Sequence, residues 1–101
     1  MPNTVQVVDD VVMMTLDIES LDSLSADAFR QDVEAATGDI KHLQIDLQKV
    51  GFVDSTGIGA IVACLKQLRA AGGDLRLTKL QPCVRSLFEL VRIHRLIDLD
   101  A

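Results

Sequence analysis

Asp54, Ser55 and Thr56 stand side by side and are followed by Gly57-Ile58-Gly59. A carboxylate next to two hydroxyls can cap a helix, serve a nucleophile, or present a hydroxyl for phosphoryl transfer. The flanking residues say where this cluster sits. Before it, Leu43-Gln44-Ile45-Asp46-Leu47 alternates as a half-buried strand does. After it, Ile58, Ile61, Val62, Leu65 and Leu68 follow the i, i+3, i+4, i+7 stripe of a core-facing helix. Ser55 and Thr56 therefore fall at a strand-to-helix junction, beside the free N–H groups and positive dipole end of the helix. That environment accommodates a phosphoryl group.

Each competing chemistry lacks something. Capping needs one of these residue types, and three in a row leave side chains to spare. A hydrolase elbow needs G-x-S-x-G, but Val53 stands where the first Gly belongs. Its general base would have to be His42 or His94, and nothing in the sequence brings either to Ser55. Two His and two Cys, scattered along the chain, lack metal-ligand spacing. Gly57-Ile58-Gly59 resembles the start of a dinucleotide fingerprint, but Val62 replaces the third Gly, and no Gly-Lys-Ser/Thr of a phosphate loop follows. No catalytic residue, metal or cofactor is expected. Gly57 and Gly59 each cost a helix about 1 kcal/mol relative to Ala. Their expected use is close approach, either of neighbouring backbone or of another protein.

The elements that position this cluster can be read outward from it. Val5–Val8 and Val11–Leu16 read as strands, and Asp9-Asp10 between them as the turn of an antiparallel hairpin. Ser25 is expected to cap a helix running to about Ala36, with Phe29, Val33 and Ala36 inward and Thr37-Gly38-Asp39 ending it. The strand Leu43–Leu47 and a short loop lead to Phe52-Val53. A helix from about Gly57 to Ala71 stops at Gly72-Gly73, and Leu75–Leu80 alternates again. Pro82 suits the first turn of a third helix, with Val84, Leu87, Phe88 and Val91 as its buried stripe. Leu96-Ile97 reads as a last short strand or a packing tail. The expected fold is α/β, a mixed four- to five-stranded sheet with helices packed on it, in the order β-β-α-β-α-β-α-(β).

The 101 residues fit one domain, residues 1–101. Net charge is −5 and unevenly spread. Residues 1–54 hold eleven acids and three bases, whereas residues 55–101 hold four acids and seven bases. Such an acidic chain is a poor nucleic-acid binder, and a basic protein partner suits its acidic half. Apolar runs are too short to span a bilayer, so no direct membrane insertion is expected. No basic start followed by an apolar run marks a secretion signal, so a cytoplasmic location is expected. Cys64 and Cys83 are then free thiols, both expected to be structural, with Cys64 on the apolar side of its helix.

Val50-Gly51-Phe52-Val53-Asp54-Ser55-Thr56-Gly57-Ile58-Gly59 resembles the signature of STAS-domain proteins, in particular bacterial anti-sigma-factor antagonists. Leu21-Asp22 with Ala26 and Phe29 is similar to the family's first acidic turn and helix, and Ile45-Asp46-Leu47 to its apolar-Asp-apolar strand. Gly72-Gly73-Asp74-Leu75 is similar to its double-glycine strand entry, and Leu87-Phe88-Glu89 to its third-helix core. Two departures stand out: Glu19-Ser20 where Gly-Glu is common, and Arg92 where a Gly commonly follows the third helix.

The resemblance implies a non-enzymatic phosphorylation switch. Ser55 would accept the phosphoryl group, and Thr56 is a secondary candidate. The unphosphorylated form would bind a GHKL-type serine kinase that is also an anti-sigma factor. Phosphorylation would release it, and a PP2C-type phosphatase would restore binding. Asp22, Asp54, Thr56, Gly57, Ile58 and Gly59 would form the partner-binding surface. The alternative is a non-switching STAS accessory subunit of a lipid-transport ABC complex or of a larger signalling scaffold, with Ser55 a cap.

Overall fold

Alternating and helical periodicities become eleven elements in the computed structural model, which describes residues 3–39 and 41–100 and, of these, all side chains but those of His94, Asp98 and Asp100. The side chain of His94, weighed above as a general base, lies outside that set. The strands are β1 (Thr4–Val8), β2 (Val11–Thr15) and β3 (Ser20–Leu21), followed by helix α1 (Ala26–Thr37). Next come β4 (His42–Asp46), β5 (Phe52–Val53), α2 (Ser55–Ala70), β6 (Asp74–Thr78) and α3 (Pro82–Leu90). A single 3-10 turn (Ile93–Arg95) leads to β7 (Asp98–Asp100).

The main sheet has five strands in the order β1-β2-β4-β6-β7. Only β1 and β2 pair antiparallel, and the other neighbours are parallel. The turn between β1 and β2 bends at Asp9, whose φ of 55° an Asp tolerates better than most residues. Helices on the crossovers cover one sheet face. Val12, Met14, Leu43, Ile45, Leu75 and Leu77 of that face are buried together with Phe29 and Val33 of α1, Ile61, Cys64, Leu65 and Leu68 of α2, and Val84 and Phe88 of α3. The α/β architecture and its element order are as expected.

Several local readings change. β3 and β5 form a separate two-stranded parallel pair, Ser20 opposite Phe52 and Leu21 opposite Val53. Two-residue strands are too short to carry periodicity. Ser25 does not cap α1: its Oγ donates to the Ser20 carbonyl at 2.9 Å and accepts from the Asp22 N–H at 3.0 Å, folding the preceding turn instead. α2 starts at Ser55, not Gly57, because Asp54 is its cap. α3 ends at Leu90, so Val91 lies past the stripe and is exposed. Ile97 is a buried plug, Leu96 is exposed, and the last strand falls on the following residues, Asp98–Asp100. Arg92 adopts φ 63°, a left-handed conformation that disfavours side chains and suits the Gly common at this point.

The cysteines separate in the same way. Cys64 is buried, and burial pushes its thiol up to about 11. Cys83 is exposed near the start of α3, which corrects the expectation of two structural thiols. Iodoacetamide at mildly alkaline pH is expected to alkylate native Cys83 and spare Cys64, because the thiolate is the nucleophile. Peptide mass spectrometry reads this directly, and equal labelling of both would contradict the packing of α2.

Candidate functional site

Leu47 and Val50 are fully buried and anchor the loop that turns the chain from β4 into β5. Gly51 and Phe52 then donate their N–H groups to the Glu19 carbonyl, at 2.8 and 3.2 Å, and Asp54 donates to the Leu21 carbonyl at 3.3 Å. These bonds align β5 with β3. Asp22 and Asp54 each follow directly on the paired residues Leu21 and Val53, so two acids 32 positions apart in sequence end side by side strands.

Asp54 turns the chain into α2. Its backbone is extended, and its Oδ1 accepts the Gly57 N–H at 2.9 Å. One of the three clustered polar residues is therefore the cap, and the other two remain available. Ser55 and Thr56 are exposed, and within the described residues neither side chain makes a hydrogen bond. Their own N–H groups lie in the first turn, where no intrahelical acceptor precedes them. Replacing Asp54 by Ala is expected to cost about 1 kcal/mol through loss of this cap. Asp54→Asn keeps an oxygen acceptor and should cost less, and urea unfolding of the two variants checks the difference.

Asp22 is half-buried and holds its own turn, accepting the Leu24 N–H on Oδ1 at 3.0 Å. Among the described residues neither Asp22 nor Asp54 has an ion-pair partner. The result is an acidic rim open to a cation from outside. Gly57 is buried against β3: a Cβ there would lie 2.1 Å from the Leu21 carbonyl oxygen. Gly59 differs, being exposed with nothing within 4 Å of an added Cβ. The close-approach reading therefore holds inside the fold for Gly57 alone. Ile58 is partly buried against the core, so only part of it faces outward.

Two residues without an assigned role in sequence flank this rim. Leu24 is 93% exposed and Phe52 is 54% exposed. Leu24 stands between two serines ahead of α1 and belongs to no apolar stripe, which is the one trace it leaves in the sequence. No cluster of metal-ligating side chains exists among the described residues, and no helix among them is long and apolar enough to cross a membrane.

The sequence profile of the STAS domain matches residues 3–101. This chain belongs to the STAS family. It is 31% identical over 81 residues to the anti-sigma-B factor antagonist of Bacillus subtilis, covering 80% of this chain and 74% of that protein. Its fold superposes on the Bacillus cell fate determinant SpoIIAA, an anti-sigma factor antagonist, with a TM-score of 0.79 for the unphosphorylated form and 0.72 for the phosphorylated form. Each is 22% identical, with 98% of this chain covered and 87% and 90% of the other. The murine anion transporter Slc26a9 also contains this fold: TM-score 0.77, 24% identity, 89% of this chain and 15% of the transporter. The STAS fold thus serves both as a small regulator and as one part of a transporter.

Proposed function

We propose that this STAS protein is a cytoplasmic phosphorylation switch without catalytic activity of its own. Ser55 is the phosphoacceptor, and the unphosphorylated surface docks a GHKL-type serine kinase that acts as an anti-sigma factor. The observation that carries this reading is the division of labour at the start of α2. Asp54 alone caps the helix, which leaves the exposed Ser55 hydroxyl without a structural task. The kinship with anti-sigma factor antagonists supports the partner class.

The physics of the switch is differential. A phosphoryl group on Ser55 would bring about −1.5 to −2 charge next to the Asp54 carboxylate, at a helix N-terminus that tolerates it. The free protein stays folded. A docked partner covering the rim would have to desolvate that charge, and the complex is lost. A PP2C-type phosphatase resets the surface. Asp22, Asp54, Thr56, Ile58 and Gly59 form the docking face, with Gly57 holding it on β3.

Intact-mass and peptide mass spectrometry of protein isolated from its native cell tests the assignment. One phosphoryl group on the Ser55 peptide, removed by phosphatase, is the expected result. A peptide left unmodified across growth conditions, together with an ABC ATPase co-purifying in place of a kinase, would point to the accessory-subunit alternative.

A further inference from the structure

We infer that β1 is a dimerisation edge, pairing antiparallel with β1 of a second copy about a two-fold axis through Gln6. The inference stands apart from the phosphorylation reading. β1 borders the sheet and pairs only with β2. All five of its residues are exposed, and Thr4-Val5-Gln6-Val7-Val8 contains neither charge nor proline. Edge strands are ordinarily guarded by such residues. The opposite edge, β7, carries Asp98 and Asp100 in three residues.

The register follows from the hairpin. Val8 and Val11 flank the two-residue turn, so they form its hydrogen-bonded closing pair. Alternation makes Gln6–Met13 and Thr4–Thr15 the next bonded pairs. Val5 and Val7 therefore aim their N–H and C=O groups away from β2, at the open edge. A two-fold axis through Gln6 sets Val5 of one copy opposite Val7 of the other, twice, and satisfies these groups.

The side chains match the same axis. Val5 and Val7 sit opposite the buried Met14 and Val12, on the core side of the sheet. Yet they are 37% and 53% exposed, although α1 reaches the start of this edge, where Asn3 Nδ2 donates to Asp32 Oδ2 at 2.7 Å. The two-fold axis pairs Val5 with Val7 and Val7 with Val5, as in any isologous contact, and because both residues are valine all four side chains that meet are apolar. Pairing would join four valines into an extension of the core and also cover part of Val8, 43% exposed. In this register Asp9 falls opposite Asn3 of the second copy, so the acids of the turn do not meet each other. α2, which carries Ser55, packs chiefly on α1, β6, β3 and β5, away from the open side of β1, so the dimer is expected to leave Ser55 open. One short strand per copy is a small interface, and a weak dimer is expected.

Sedimentation velocity over a concentration series is expected to show a reversible dimer for the wild type. Val7→Lys should leave the thermal melt in place and shift the dimer dissociation constant upward by at least tenfold. Disulfide trapping in a Cys83→Ser background reads the register. Gln6→Cys should cross-link rapidly, since unbonded antiparallel partners stand about 4.5 Å apart at Cα. Thr4→Cys should not, its counterpart lying four residue rises away, about 14 Å. A wild type that stays monomeric throughout, a dimer indifferent to Val7→Lys, or Thr4→Cys linking as fast as Gln6→Cys would each overturn the inference.

Discussion

Gly57→Ala is expected to destabilise the protein by about 3 kcal/mol, whereas Gly59→Ala, two residues on in the same helix, is expected to stabilise it by up to about 1 kcal/mol. An added Cβ at position 57 would meet the Leu21 carbonyl oxygen at 2.1 Å, the Leu21 carbonyl carbon at 2.9 Å and Val53 Cγ1 at 3.0 Å. Two of those atoms are backbone and cannot rotate aside. The Leu21 carbonyl also accepts the Asp54 N–H, so displacing it disturbs the cap as well as the β3–β5 pair. At position 59 the new methyl enters open space, and the helix gains only the lower backbone entropy of Ala over Gly. Urea unfolding of the two variants checks the contrast, which would be refuted by effects of the same sign and size. Gly59→Ala carries functional information too. Binding weakened in a more stable protein would mean that a partner's backbone lies against Gly59.

The contrast between these two glycines marks where sequence reasoning stops. Both cost the helix the same propensity, so composition alone treats them alike. What distinguishes them is β3, a two-residue strand that no periodicity could reveal. The same pair explains why Asp22 joins the site: the turn after Leu21 becomes local to Asp54 only once β3 and β5 are aligned. By contrast, β2, β4 and β6 and the buried stripes of α1 and α2 were legible, because alternation and helical spacing are read over five residues or more.

Capping was the other source of error. Ser25 is a good cap by type, but its hydroxyl bonds Ser20 and Asp22 in the turn ahead. Among Asp54, Ser55 and Thr56, residue type could not choose the cap, since all three are favoured. The geometry selects Asp54, and this is what leaves Ser55 free. Of the two readings of Leu96-Ile97, the packing tail holds for Ile97, which plugs the core. The strand falls on Asp98–Asp100, whose acids look unlike strand residues.

If the proposed switch operates, Ser55→Asp is expected to weaken binding to the proposed partner kinase by about 100-fold, and Ser55→Ala to leave binding intact while abolishing the phosphoryl uptake that would end it. A 100-fold change corresponds to about 2.7 kcal/mol. One charge buried without a partner supplies that much, since breaking a buried pair costs about 3–5 kcal/mol. Neither variant should alter stability by more than about 0.5 kcal/mol, because the Ser55 side chain is exposed and bonded to nothing in the described structure. The cap stays with Asp54 in both. Folding and binding are thereby separated, and a loss of affinity in Ser55→Asp cannot be assigned to a melted helix. Thr56→Ala is the control: it removes the neighbouring hydroxyl and should leave the Ser55 phosphopeptide in place. Titration calorimetry with the purified kinase, alongside thermal melts, gives both quantities. Equal affinities for wild type, Ser55→Ala and Ser55→Asp would mean that charge at the start of α2 is not what the partner reads.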